Sequence, residues 1–150
     1  MSARFTNLLT RFAQHLNLPP ESLLQTGEIV IDKTTVTLFY EGDEERGDIV
    51  FYSILGMPSS HAVPFIYRTL LEANMLWAGT GGGTLGLLPQ TGAITLCGRI
   101  NIEEITSDSL TVLLENFVDT AEFWSHYIEN ANPEVGALNV TTTAHQPLYV

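Results

Sequence analysis

Basic residues are the scarcest chemical class in this chain. Lys33 is its one lysine and there are five arginines, against seventeen acidic residues, for a formal net charge of −11. So few cations cannot form the basic stripe that phosphate-driven nucleic-acid binding requires. The same imbalance argues against an anionic membrane surface. Cysteine is nearly absent as well. Cys97 stands alone, which excludes an internal disulfide and a multi-cysteine metal site. No run approaches the ~18 apolar residues of a membrane span. The opening MSARFTNLLTRFAQHLNLPP has neither the uninterrupted apolar region nor the cleavage site of a signal peptide. These absences lead to the expectation of a cytoplasmic protein that binds neither nucleic acid nor membrane. The acidic excess favours solubility and a basic partner or docking site.

What is present is the material of a globular core. Hydrophobic residues make up 45% and charged residues 15% of 150 residues, and no internal repeat or linker divides the chain. Phe5, Leu8, Leu9, Phe12 and Leu16 follow helical spacing, and Asn17 to Pro20 should end that helix. Glu28 to Gly56 reads as three strands, with Asp32 and Lys33 as a short hairpin connection and EGDEERGD (41–48) as a charged turn. In the third strand Ile49, Phe51 and Leu55 point one way, and Val50, Tyr52 and Ile54 the other. A sheet with one wet face should alternate apolar and polar, so both faces are expected to be covered, the second by a helix, a subunit or a ligand.

A second helix starts near Pro64, carries Val63, Ile66, Leu70, Leu71 and Trp77 on its apolar side, and should be stopped by the glycines at 79–83. TLGLL and AITLCGRI follow as strands joined by PQTG. Thr106 to Ser109 offers caps for a last helix whose stripe is Leu110, Leu113, Leu114, Phe117, Ala121, Trp124 and Ile128. The expected order is helix-strand-strand-strand-helix-strand-strand-helix, an α+β fold with a mostly antiparallel sheet.

No catalytic, cofactor-binding or metal-binding residue is assigned. Gly81, Gly83 and Gly86 spell G-x-G-x-x-G, but a dinucleotide site needs a strand before the glycines and a helix after them. Here the order is reversed. The histidines (His15, His61, His126, His145) show no i, i+4 pair and no HExxH arrangement. The carboxylates at 41–48 lack calcium-loop spacing and read as a solvated turn.

LLEANMLWAGTGGGTLGLLPQTGAITLCGRI resembles the central stretch of the type III secretion effector chaperones, the family that includes the Tir chaperone. An L-x-x-A/L-N-h pattern ends the second helix there, followed by a glycine-rich turn and a strand. Leu71, Ala73, Asn74, Met75, Trp77, Thr80, Gly81, Gly82, Thr84 and Leu85 fit it. LLTRFAQHLNLP resembles the family's first helix, with Asn17 in place of its usual glycine, and ENFVDTAEFWSHYI resembles its last. Leu88 and Pro89 depart from the pattern, where an aspartate often stands. The likeness covers about residues 4–130, leaving 131–150 as a loosely held tail.

The resemblance implies a class I chaperone without enzymatic activity, which pairs as a homodimer in the bacterial cytoplasm. It implies binding of the N-terminal segment of a secreted effector, laid in extended form with an added strand on the first helix and the sheet. The client would stay soluble, partly unfolded and fit for export, with the secretion ATPase as a further partner. Val63, Ile66, Leu70, Leu71, Asn74 and Trp77 are then the dimer candidates. Phe5, Leu9, Phe12, Val36, Leu38 and Tyr40 are the effector-binding candidates. Rival readings are a small nucleotide- or metabolite-binding enzyme using the glycine turn, and a non-chaperone adaptor of the same fold.

Overall fold

The computed structural model describes residues 2–131, so the expected tail lies outside the described residues apart from its first residue. Helix α1 (Ala3–His15) buries Phe5, Leu8, Leu9 and Phe12, the positions the three-and-four spacing selects. Asn17 ends it in the left-handed region (φ 57°), and the Leu18 N–H donates to Ala13 O at 2.8 Å. A second short helix, α2 (Pro20–Thr26), follows and was not expected. Its signals are local: Pro20 opens the first turn, Glu21 sits at the positive end, and Gly27 closes it at φ 70°.

Strands β1 (Glu28–Ile31) and β2 (Thr34–Gly42) form the expected hairpin. Asp32 and Lys33 both take positive φ (48° and 74°), the two-residue turn whose twist matches that of paired strands. Then come β3 (Gly47–Gly56), α3 (Val63–Asn74), β4 (Thr84–Leu87), β5 (Ile94–Asn101) and α4 (Ser107–Asn130). The strands form one sheet in the order β1-β2-β3-β5-β4. β1 with β2, β2 with β3, and β4 with β5 pair antiparallel. The α+β class and the antiparallel sheet are as the sequence predicts.

Contacts divide the chain into two compact units, the described parts of Met1–Ser53 with Gly98–Val118, and of Ile54–Cys97 with Asp119–Val150. The first holds α1, α2, β1, β2 and the start of α4. Its buried residues include Leu9, Phe12, Val36, Leu38, Ile49, Leu110 and Leu114. Phe51 meets Phe117 edge to face at 5.0 Å and lies so close over Gly98 that any Cβ there would strike its ring. In the second unit, Trp124 Nε1 donates to Gly79 O at 2.8 Å, Ser125 Oγ to Leu55 O at 2.7 Å, and Tyr127 Oη to Thr69 Oγ1 at 3.2 Å. Burial holds the Tyr127 hydroxyl above its ordinary pKa.

Among the described residues β3 is buried on one face: Ile49, Phe51, Ser53 and Leu55 are buried, whereas Val50 and Tyr52 are half-buried and Ile54 is 57% exposed, so the second face is covered only in part within the chain. One expectation changes: helix α3 stops at Asn74, ahead of the glycines, so Trp77 is not on it. A 3-10 turn (Met75–Trp77) intervenes, with Leu76 and Trp77 both left-handed (φ 54° and 56°).

Candidate functional site

The first unit contains an open groove of about 650 Å³. Its apolar floor is Phe5 and Leu9 of α1, Leu23 of α2 and Leu38 of β2, all buried side chains. Gly27 fixes where α2 meets the sheet. A Cβ there would sit 2.6 Å from Leu38 O, and the Gly27 carbonyl accepts from Leu38 N–H at 2.7 Å. Only glycine allows that approach at a left-handed φ.

Tyr40 forms the wall of the groove. Its ring stacks on Phe5 at 5.5 Å, and its hydroxyl donates to Asp43 O at 2.6 Å. The rim is acidic. Asp43 Oδ1 accepts the N–H groups of Glu45 and Arg46, both at 2.8 Å, and these bonds hold its carboxyl below the ordinary carboxylate value. Glu44 lies beside it with its side chain in solvent, and Ser2 Oγ donates to the Glu44 carbonyl at 3.3 Å. Among the described residues the groove lining contains Asp43 and Glu44 and no cationic side chain. Arg99 braces the same turn from outside the groove, bonded to Asp48 at 2.9 Å and to Glu41. These two carboxylates raise its pKa and keep it charged.

Of the residues singled out for a client, Phe5, Leu9, Leu38 and Tyr40 line this groove. Phe12 and Val36 are 0% exposed core residues that do not line it, since helical and strand spacing alone cannot separate core from groove. The residues missed are Leu23, Leu24 and Gln25, carried by the unforeseen α2. Pro20 followed by Gly27 was the signal for them.

The dimer candidates fall in the second unit and separate into three kinds. Ile66 and Leu70 are buried. Val63 and Asn74 are half-buried. Leu71 (70%) and Trp77 (58%) are exposed, and Met75, Leu76 (75%) and Leu87 join them as exposed apolar side chains. The Asn74 amide is committed within the chain. Its Nδ2 donates to Leu85 O at 3.0 Å and its Oδ1 accepts from Leu85 N–H at 2.9 Å. The side chain thereby supplies one rung of ladder to β4, an edge strand of the sheet.

The glycine run joins the 3-10 turn to β4. Thr80 Oγ1 donates to Gly83 O at 2.7 Å, and a Cβ on Gly83 would lie 2.9 Å from Cys97 O, so this turn is built to lay the chain against β5. Among the described residues no group of three or more His, Cys, Asp or Glu is placed to hold a metal ion. No described helix is long and apolar enough to cross a membrane.

The model of the Tir chaperone protein (CesT) family matches residues 7–125. The chain belongs to that family. Membership indicates a type III secretion chaperone and implies a binding role instead of catalysis. Among solved structures, this Tir chaperone family member is similar to a chain of the ExsC–ExsE complex, with 25% identity and a TM-score of 0.70 over 88% of this chain and 100% of that one. It shares its fold with a chain of the HopA1–SchA chaperone–effector complex (18% identity, TM-score 0.59, 85% and 94% covered). The same holds for a chain in the complex of the Yersinia pestis type III secretion chaperone SycH with a stable fragment of YscM2 (22% identity, TM-score 0.53, 78% and 96% covered). Comparison with curated proteins finds no match.

Proposed function

We propose that this protein is a cytoplasmic, homodimeric effector chaperone. It holds the N-terminal segment of a type III secreted client in extended form, soluble and ready for export, and delivers it to the secretion ATPase. The observation that carries this reading is the groove beside α1 in a member of the Tir chaperone family. The groove is open on one side above a floor of Phe5, Leu9, Leu23 and Leu38, as a site for a side chain from another protein would be. Such a surface supports binding by strand addition, in which backbone bonds supply affinity and pockets for alternate side chains supply selectivity. Pairing of two copies is supported by the exposed Leu71, Met75, Leu76 and Trp77, an apolar group that a lone protomer has no reason to hold in water.

The test is purification from native expression. The expected result is a dimer by light scattering that carries one secreted protein and shields that client's N-terminal region from protease. A monomer that carries no client and shields no segment overturns the reading.

A further inference from the structure

β2 is longer than the strand that flanks it. β1 pairs with Thr34–Thr37, and the bond from Leu38 N–H to Gly27 O extends that register by one position. Beyond Leu38, β2 runs on to Gly42, and among the described strands only β3 pairs with it there. In an antiparallel ladder the N–H and C=O of alternate residues turn to the same side. Leu38 turns its N–H toward β1, so Tyr40 and Gly42 turn theirs to that side too, where β1 has ended. This half-strand of open edge borders the groove: Phe39, Tyr40 and Gly42 line it, together with Gly27 and Thr26 at the end of α2. The backbone groups, the apolar floor and the anionic rim of Asp43 and Glu44 therefore converge on one place.

We propose that the groove takes a short extended segment of the client, aligned end to end with β1, that carries an apolar residue with a lysine or arginine close beside it. This rests on the effector-chaperone reading and specifies what that site selects. The segment's backbone bonds Tyr40 and Gly42. Its apolar side chain enters over Phe5, Leu9, Leu23 and Leu38. Its cation meets Asp43 and Glu44, the two charged side chains among the described lining residues. Asp43 is held ionised by the Glu45 and Arg46 amides and presents a fixed negative charge at that end. Complementary charge at the rim chooses among partners more than it adds affinity. The rim therefore discriminates between segments that the apolar floor would accept equally.

Two synthetic peptides of alternating valine and threonine, one ending in lysine and arginine and the other in glutamates, would be titrated against the full-length protein. Binding is followed by fluorescence anisotropy and by amide hydrogen exchange. The basic peptide should bind about tenfold more tightly at low salt and slow exchange at the Tyr40 and Gly42 amides, leaving Val30 on β1 unchanged. Glu44→Lys, on an exposed side chain, should reduce the preference severalfold. Equal affinities, no binding by either peptide, protection at Val30, or a preference untouched by Glu44→Lys each overturn the proposal. A native client that co-purifies equally well with wild type and Glu44→Lys would sink this charge selection and leave the chaperone reading standing. Absence of any client would sink the chaperone reading itself.

Discussion

Asn74 shows how one side chain can serve two elements at once. It is the last residue of α3, and its amide bonds both backbone groups of Leu85. Asparagine is suited to this because its amide copies the donor and acceptor of a peptide unit. Asn74→Ala should leave the Leu85 N–H and C=O without their partner and destabilise the protein by about 1–3 kcal/mol. The check is urea unfolding, together with faster hydrogen exchange at Leu85. Asn74→Asp keeps the acceptor and loses the donor, so the Leu85 amide should stay protected while the Leu85 carbonyl loses its bond. Asp43 is the second residue with a measurable signature. Its carboxyl is stabilised by the Arg46 and Glu45 amides in the folded turn, so its folded pKa lies below the unfolded value of 3.8. The contribution is therefore complete above the unfolded value and is lost as pH falls through the lower, folded one. An NMR titration should give an Asp43 midpoint below 3.8, with the Glu45 and Arg46 amide resonances moving at the same midpoint.

Elements in this protein are delimited by side-chain chemistry at their ends. α4 begins where Thr106 and Ser109 bond each other reciprocally: Thr106 N–H donates to Ser109 Oγ at 2.8 Å, and Ser109 N–H to Thr106 Oγ1 at 3.2 Å. This is a capping box with serine in the third position, and Thr106→Ala should cost about 1 kcal/mol. Thermal unfolding would register it as a lowered Tm, and Thr106→Ser should restore most of the loss. The end of α3 works differently. A run of Met, Leu and Trp has good helix propensity, yet Leu76 and Trp77 adopt left-handed φ. Each such residue costs about 1–2 kcal/mol. The Gly79 N–H to Ala73 O bond at 2.9 Å and the Asn74 clamp on β4 hold the turn in that form. Local preference yields here to the need to bring the chain back along β5.

At the scale of the whole protein, two surface features support the proposed binding roles. One is the anionic groove of the first unit, and the other is the apolar group Leu71, Met75, Leu76 and Trp77 of the second. If the latter is the pairing face, Leu76→Ser with Trp77→Ser should convert the dimer to a monomer in sedimentation. The far-ultraviolet circular dichroism should stay unchanged, because both side chains lie mostly in water within the protomer. A double variant that remains dimeric would move the interface elsewhere.

The sequence by itself determined most of the elements and the family, while α2 and the early end of α3 escaped it. Apolar spacing marked α1 and α4, and Asp32–Lys33 marked the hairpin. The stretch from Leu70 to Leu85 carried the resemblance that the family match to residues 7–125 bears out. Those properties are local, written in periods of two and of three to four and in turn chemistry, so a linear reading reaches them. What only the tertiary structure decided is which apolar residues are core and which are surface. Phe12 and Leu9 share one helical face, yet Leu9 lines the groove and Phe12 does not. Leu70 and Leu71 are neighbours, one buried and one exposed. For Leu9 and Phe12 the difference comes from where α2, β1 and β2 end, because a groove is the space left when one element stops short of another. That space depends on contacts between residues distant in the chain, and periodicity carries no record of them.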